Sequence, residues 1–112
     1  MDINLFIEDF IAVSNAYDTK SYLERWHTNA VLDDPSVGRV FNGHPGIKDY
    51  FESYFIGYKT QTRLVSLKVI SENEAHIEVE FTGDFPEGKI GGTFDFTFRE
   101  GKIAAAKADL TG

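Results

Sequence analysis

The sequence predicts an α+β domain in which three N-terminal helices pack into the concave face of a strongly curved, mainly antiparallel sheet. Two periods carry this expectation. As far as residue 57, apolar residues recur at steps of three and four; from Lys59 onward they alternate, as they do in strands with one buried face. The third observation is the connections. Clusters of Gly, Pro, Asn and Glu separate the alternating runs at hairpin lengths, which favours antiparallel neighbours over crossovers.

In chain order, Ile3, Phe6, Phe10, Val13 and Tyr17 form a helical stripe that Ile7 and Ile11 widen, so an amphipathic helix is expected over residues 3–16 with Asp2 as its cap. Asp18 or Thr19 restarts a second helix, in which Tyr22, Leu23 and Trp26 share a face and Trp26 ends as a core anchor. With almost no linker between them, the two helices pack together. Ala30-Val31-Leu32 then reads as one short strand, and Asp33-Asp34-Pro35 as the start of a loop. Gly43-His44-Pro45 opens the third helix: Pro is favoured at the first helical position, His44 falls at the cap, and Ile47, Tyr50, Phe51, Tyr54 and Phe55 form the stripe that Gly57 ends.

Four strands follow. Residues 64–70 are rich in Val, Leu and Ile. Ile77, Val79 and Phe81 alternate with His76, Glu78 and Glu80, and Phe94, Phe96 and Phe98 with Thr93, Asp95 and Thr97. Residues 102–110 close the sheet. Glu72-Asn73-Glu74, Phe85-Pro86-Glu87-Gly88 and Glu100-Gly101 are the hairpin loops, and Gly91-Gly92 is expected to mark a bulge or sharp bend.

At 112 residues, with 42% hydrophobic residues, ten Phe, five Tyr and one Trp, the chain reads as one domain over residues 1–112 with one core. Its 18 acidic and 11 basic residues leave a formal charge of -7, and the basic ones are scattered, so no footprint for nucleic acid or an anionic membrane is expected. The absence of Cys rules out a disulfide framework and thiolate metal ligation. No long apolar run or basic, apolar leader is seen, and a cytoplasmic protein without a membrane partner is expected. A Gly-rich phosphate loop, a nucleophile elbow and a paired metal-binding His motif are also missing, so neither metal nor cofactor is expected. Gly88-Lys89-Ile90-Gly91-Gly92 resembles a phosphate loop only superficially, because it leads into a strand.

The chemistry concentrates around Asp34. A carboxylate directed into an apolar interior is costly unless it is paired, hydrogen-bonded or protonated, which marks it as a candidate acid or base. Asp before Pro is equally a common turn initiator, and both readings stand.

Trp26-His27-Thr28-Asn29-Ala30-Val31-Leu32-Asp33-Asp34-Pro35, followed by Asn42-Gly43-His44-Pro45-Gly46-Ile47, resembles the nuclear-transport-factor-2-like superfamily. Within it, the chain is most similar to the SnoaL-like polyketide cyclase and ketosteroid isomerase group, over nearly its whole length. The resemblance implies a conical fold with a deep pocket for a small hydrophobic molecule, often in a homodimer. In the ketosteroid isomerase branch, a base Asp works with a Tyr and a protonated Asp that hold the oxyanion. The base carries over to Asp34, but the Tyr of the first helix falls on Phe10, the protonated Asp on Phe94, and a third-helix pocket Tyr on Phe51. Asp95 lies one residue away, on the opposite strand face. Each oxyanion donor is commonly worth roughly 2.7–4 kcal/mol in the transition state, so classical ketosteroid isomerase activity is not expected.

The resemblance implies an apolar pocket wall of Phe10, Trp26, Phe51, Tyr54, Phe55, Ile77, Val79, Phe81, Phe94, Phe96, Ala106 and Ala108. His27 and His44 are candidates for its polar groups, beside structural readings as a helix-end residue and a cap. Tyr17, Tyr54 and Tyr58 offer hydroxyls or plain packing, and His76 with Glu78 and Glu80 forms a polar face for solvent or a second subunit. Two functions follow. One is an isomerase, cyclase, lyase or hydrolase using Asp34 as general base on an apolar carbonyl or ring-bearing substrate. The other is a non-catalytic ligand-binding or dimerisation module.

Overall fold

Asp2 and Asp18 open the first two helices by the same chemistry, each carboxylate accepting from a backbone N–H three residues on, Leu5 and Ser21 respectively, both at 3.1 Å. In this computed structural model, which describes residues 1–111, α1 runs Ile3–Asn15 and α2 Thr19–Glu24. Gly112, the last residue of the expected domain, lies outside the described residues. Ile3, Ile7 and Phe10 form the buried stripe of α1, and Tyr22 is the buried anchor of α2. Asn15 ties the end of α1 to the sheet, its side chain donating to the Thr62 carbonyl at 2.9 Å and accepting from the Thr62 N–H at 2.7 Å.

The segment after α2 departs from expectation. Trp26 does not end the helix; it begins β1, Trp26–Asp34, nine residues where three were expected. A further strand, β2, Arg39–Asn42, pairs antiparallel with it. Polar Thr28-Asn29 hides the first half of β1 in the sequence, and Val40-Phe41 is too short to show an alternation. Tertiary pairing supplies the reason. β1 lies between β2 and the last strand of the sheet, so its backbone groups are satisfied from both sides.

The third helix, α3, runs Gly43–Phe51 and continues as a π turn over Glu52–Ile56 that Gly57 terminates. Asn42 occupies the cap position without a side-chain cap bond, which corrects the placement of His44. That residue sits in the first turn, and its Nε2 donates to the Trp26 carbonyl at 2.9 Å.

Strands β3 (Gln61–Ser71), β4 (Glu74–Thr82), β5 (Lys89–Arg99) and β6 (Lys102–Leu110) complete a curved six-stranded sheet in the order β2-β1-β6-β5-β4-β3. The β1–β6 pair is parallel and the others are antiparallel. Gly91-Gly92 is not the expected bulge, since both stay in register with Glu80 and Val79; the irregularities fall in β1 between Trp26 and Val31, in β3 between Leu64 and Ser66 and between Val69 and Ser71, and at Thr97/Phe98. The two glycines serve a close approach instead. A Cβ on Gly92 would overlap the Phe81 ring, and one on Gly91 would overlap the Thr111 hydroxyl.

The core lies between the helices and the inner face of the sheet. Tyr22 stacks on Phe51 with 3.9 Å between ring centroids, Phe10 meets Tyr22 at 5.1 Å, and the Phe96 ring meets Phe10 edge-on at 5.6 Å. This cluster closes the end of the molecule under α1 and α2.

Candidate functional site

Away from that closed end, a cavity of about 280 Å³ opens between the later turns of α3, the end of β1 and the strands β4 to β6. Its volume lies just below the roughly 300–1,000 Å³ of typical small-molecule pockets and suits one or two rings. Tyr50, Tyr54, Phe55 and Tyr58 wall the helical side, and Phe81, Phe94 and Ala108 the sheet side. The π turn sets Tyr54 and Phe55, and Thr60 fixes it by donating its hydroxyl to the Tyr54 carbonyl at 2.8 Å. At the mouth, the Asp84 N–H donates to the Tyr58 carbonyl at 2.7 Å, and the Phe85 ring packs edge-on against Tyr58.

Asp34 opens a turn at the edge of the cavity. It is 6% exposed at the last position of β1 and borders the cavity. Its Oδ1 accepts from the Ser36 N–H at 3.0 Å and from the Ser36 hydroxyl, and its carbonyl accepts from the Val37 N–H at 3.2 Å. That is an Asx turn, and Gly38 at φ +67° completes the reversal into β2. The turn occupies only one carboxylate oxygen. Oδ2 has no hydrogen-bond partner among the described residues, and it is not one of the sealed, unpartnered polar atoms, which are Trp26 Nε1 and Thr62 Oγ1.

Tyr50 is a second buried residue with a polar group that borders the cavity. The residue is 3% exposed, its ring held by Phe41 at 5.1 Å, Phe55 at 5.5 Å and Tyr54 at 5.8 Å between centroids. Its hydroxyl has no hydrogen-bond partner among the described residues and is not sealed either. Burial pushes its phenol well above the ordinary tyrosine range, with the charges of Tyr22, Asp34 and Tyr54 adding to the effect. The hydroxyl thus stays protonated, a donor across the physiological range.

Comparison with known proteins agrees with this architecture. The profile described as SnoaL-like domain matches residues 7–106. The chain belongs to the SnoaL-like domain family. No curated protein matches it by sequence at a significant level. Among solved structures, it is similar to SalBIII, an epoxide hydrolase/cyclase-like enzyme in pyran ring formation in salinomycin, at 19% identity over 96% of this chain and 89% of that one, with a TM-score of 0.84. A proposed polyketide cyclase from Sinorhizobium meliloti matches at 19% identity over 92% of each chain, TM-score 0.83. A nuclear-transport-factor-2-like protein of unknown function from Cytophaga hutchinsonii matches at 14% over 95% of this chain and 87% of that one, TM-score 0.77. The domain thus has the cone fold of the nuclear-transport-factor-2-like superfamily.

In this SnoaL-like domain the residues expected at the pocket divide into two groups. Asp34, Tyr54, Phe55, Phe81, Phe94 and Ala108 border the cavity. Phe10, Trp26, Phe51, Ile77, Val79, Phe96 and Ala106 are buried in the core and do not. The sequence marks all of them only as apolar and inward, and whether an inward side chain meets another ring or empty space depends on what lies opposite. Neither candidate histidine reaches the cavity. His27 lies in β1 rather than at a helix end, with its Nε2 on the Arg99 carbonyl, and His44 is held by Trp26. His76 pairs with Asp95 at 2.6 Å on the outer face of the sheet. Tyr17 is also elsewhere, its hydroxyl accepting from Gln61 at 2.8 Å.

Several wall residues carried no sequence signal as a site. Glu87 and Asp109 add carboxylates, and among the described residues no Lys, Arg or His lines the cavity. Ser36 was the legible one, since a hydroxyl two residues after Asp is the signature of the turn that now orients Asp34.

Proposed function

We propose that this SnoaL-like domain binds a small, uncharged ring-bearing molecule in the cavity and removes a proton beside its carbonyl, with Asp34 as general base. One observation carries the reading: the carboxylate of Asp34 is buried beside an apolar cavity with Oδ1 committed to the turn and Oδ2 left free. A base needs a fixed position and an unoccupied lone pair, and Asp34 has both. The aromatic wall favours an apolar ring, while the carboxylates of Asp34, Glu87 and Asp109, with no cation beside them, disfavour an anionic ligand. Such a reaction is a step of isomerases and of cyclases that close a ring through an enolate. SalBIII, with its described part in ring formation, supports this class only by likeness of fold.

A non-catalytic binding role is favoured by a different observation, the apolar rings of Phe10, Phe51 and Phe94 where the ketosteroid isomerase branch carries polar groups. One experiment separates the two. 2-Tetralone is a neutral bicyclic ketone with acidic α-protons, and their exchange in deuterium oxide is read by nuclear magnetic resonance. The wild-type protein should accelerate exchange above the buffer rate, and Asp34→Asn should return it to that rate with an unchanged melting midpoint. Undiminished acceleration in Asp34→Asn removes Asp34 as base. Saturable binding of the ketone with no acceleration by the wild type supports the non-catalytic role.

A further inference from the structure

We propose that the ligand is longer than the cavity: its ring sits inside, and an uncharged apolar arm leaves through the mouth and lies on a rim formed by Val37, Tyr58, Phe85, Pro86 and Leu110. The proposal rests on the ring-binding reading above and adds a second part to the molecule bound. All five residues line the cavity, yet none is buried. Val37, Tyr58 and Leu110 are 37%, 40% and 44% exposed, so each belongs both to the cavity wall and to the outer surface. They arrive from separate places in the chain. Val37 is in the turn after β1, Tyr58 follows the π turn, Phe85 and Pro86 belong to the loop between β4 and β5, and Leu110 ends β6. Apolar side chains exposed singly are ordinary, but a set gathered around the opening of a cavity marks a surface that something covers.

Continuity with the cavity points to the ligand itself as the cover. A volume of about 280 Å³ holds one or two rings, so any further part of the molecule has to lie outside, and the first surface it meets is this rim. The rim is held before anything binds. The loop is tied to the helical side by the Asp84 N–H on the Tyr58 carbonyl at 2.7 Å, and the Phe85 ring stands edge-on to Tyr58 with 6.2 Å between centroids. Opposite Leu110 on β5 stands Gly92, which has no side chain to cover it. Charge narrows the arm further. Glu87 and Asp109 line the cavity and, among the described residues, no basic side chain does, so an arm ending in a carboxylate or phosphate is repelled. The formal charge of -7 disfavours an anionic membrane as the cover for the same reason.

Naphthalene, 2-methoxynaphthalene and 2-butoxynaphthalene offer the same ring with no arm, a short arm and a longer one. Their affinities are measured by naphthyl fluorescence for the wild-type protein, for the protein carrying both Val37→Ser and Leu110→Ser, and for Val65→Ser, which removes an exposed apolar side chain of β3 that does not line the cavity. Burying a methylene fully is worth about fourfold in affinity and covering one side of it about twofold, so the butoxy compound should bind the wild type about eightfold tighter than the methoxy compound. The double variant should reduce that gain to about twofold, and Val65→Ser should leave it unchanged. Equal affinity of the two ethers for the wild type overturns the arm while leaving the ring site intact. A gain that the double variant keeps in full overturns the rim as its place; if light scattering also shows that variant turning a dimer into a monomer, the rim's cover is a second copy of the chain. Absence of naphthalene binding to the wild type overturns the ring-binding reading and, with it, this inference.

Discussion

Phe94 and Phe96 stand two residues apart on the same face of β5, and their exposures, 3% and 2%, hardly differ. Their surroundings do. Phe96 is enclosed by Phe10, Trp26, Phe94 and Phe98, with centroids 5.4–6.4 Å away, whereas Phe94 packs on Phe96 and Phe81 and gives its remaining face to the cavity. The inner surface of one sheet therefore serves two ends of the molecule. At the end under α1 and α2, aromatic rings fill the cone and contribute stability. Toward β4, β6 and the π turn, similar rings stop short of one another and leave a ligand-sized space. Burial alone does not reveal function; what matters is whether a side chain's last contact is with protein or with space.

The largest test of this contrast is truncation on the two sides. Phe96→Ala should cost about 3–5 kcal/mol in denaturant unfolding, since it opens a void in a closed cluster. Phe94→Ala, which only enlarges an existing space, should cost at most about 3 kcal/mol. Equal losses would show that the two ends are packed alike.

A smaller effect is expected where the two regions meet the backbone. Gly92 lies beneath the Phe81 ring, so Gly92→Ala should push that ring toward the cavity and destabilise the domain by about 1–3 kcal/mol. Binding of naphthalene should weaken at the same time. A stable Gly92→Ala protein with unaltered binding would mean that Phe81 has room to retreat without entering the cavity.

The mildest comparison uses the same side chain in both regions. Tyr22 lies in the closed cluster and Tyr50 at the cavity wall, and burial raises both phenols above the ordinary value of 10.0. A phenol whose folded pKa is raised holds its proton more tightly when folded than when unfolded. Its contribution is thus complete below pH 10 and is lost as pH rises above 10 toward the folded value, at about 1.4 kcal/mol per pH unit for each phenol. Ultraviolet titration should show tyrosinate from these two residues only as the chain unfolds. Ionisation of one buried phenol at pH 10 in the native protein would identify a region more solvated than its packing implies.

Local pattern was enough to reveal most of the elements. The stripe of α1, the caps at Asp2 and Asp18, the break at Gly57 and the alternation of the long strands all follow from relations between residues a few positions apart, which is how helices and hairpins are specified. β1 and β2 were harder to see because their pairing is not local: β1 gains its second neighbour from β6, some seventy residues later, and Thr28-Asn29 has no apolar alternation to announce it. The same limit governed the site.

By itself the sequence determined the α+β order, the single aromatic core, the family and the carboxylate before the proline, because each depends on composition or short spacing. Only the tertiary structure decided that the Asx turn uses one oxygen of Asp34 and leaves the other free. It alone also decided that Phe96 is walled in while Phe94 borders a cavity, and that Tyr50, one stripe residue among five on the third helix, borders that space too. Those outcomes depend on which surfaces face each other across the cone, a relation between distant segments that no local period encodes.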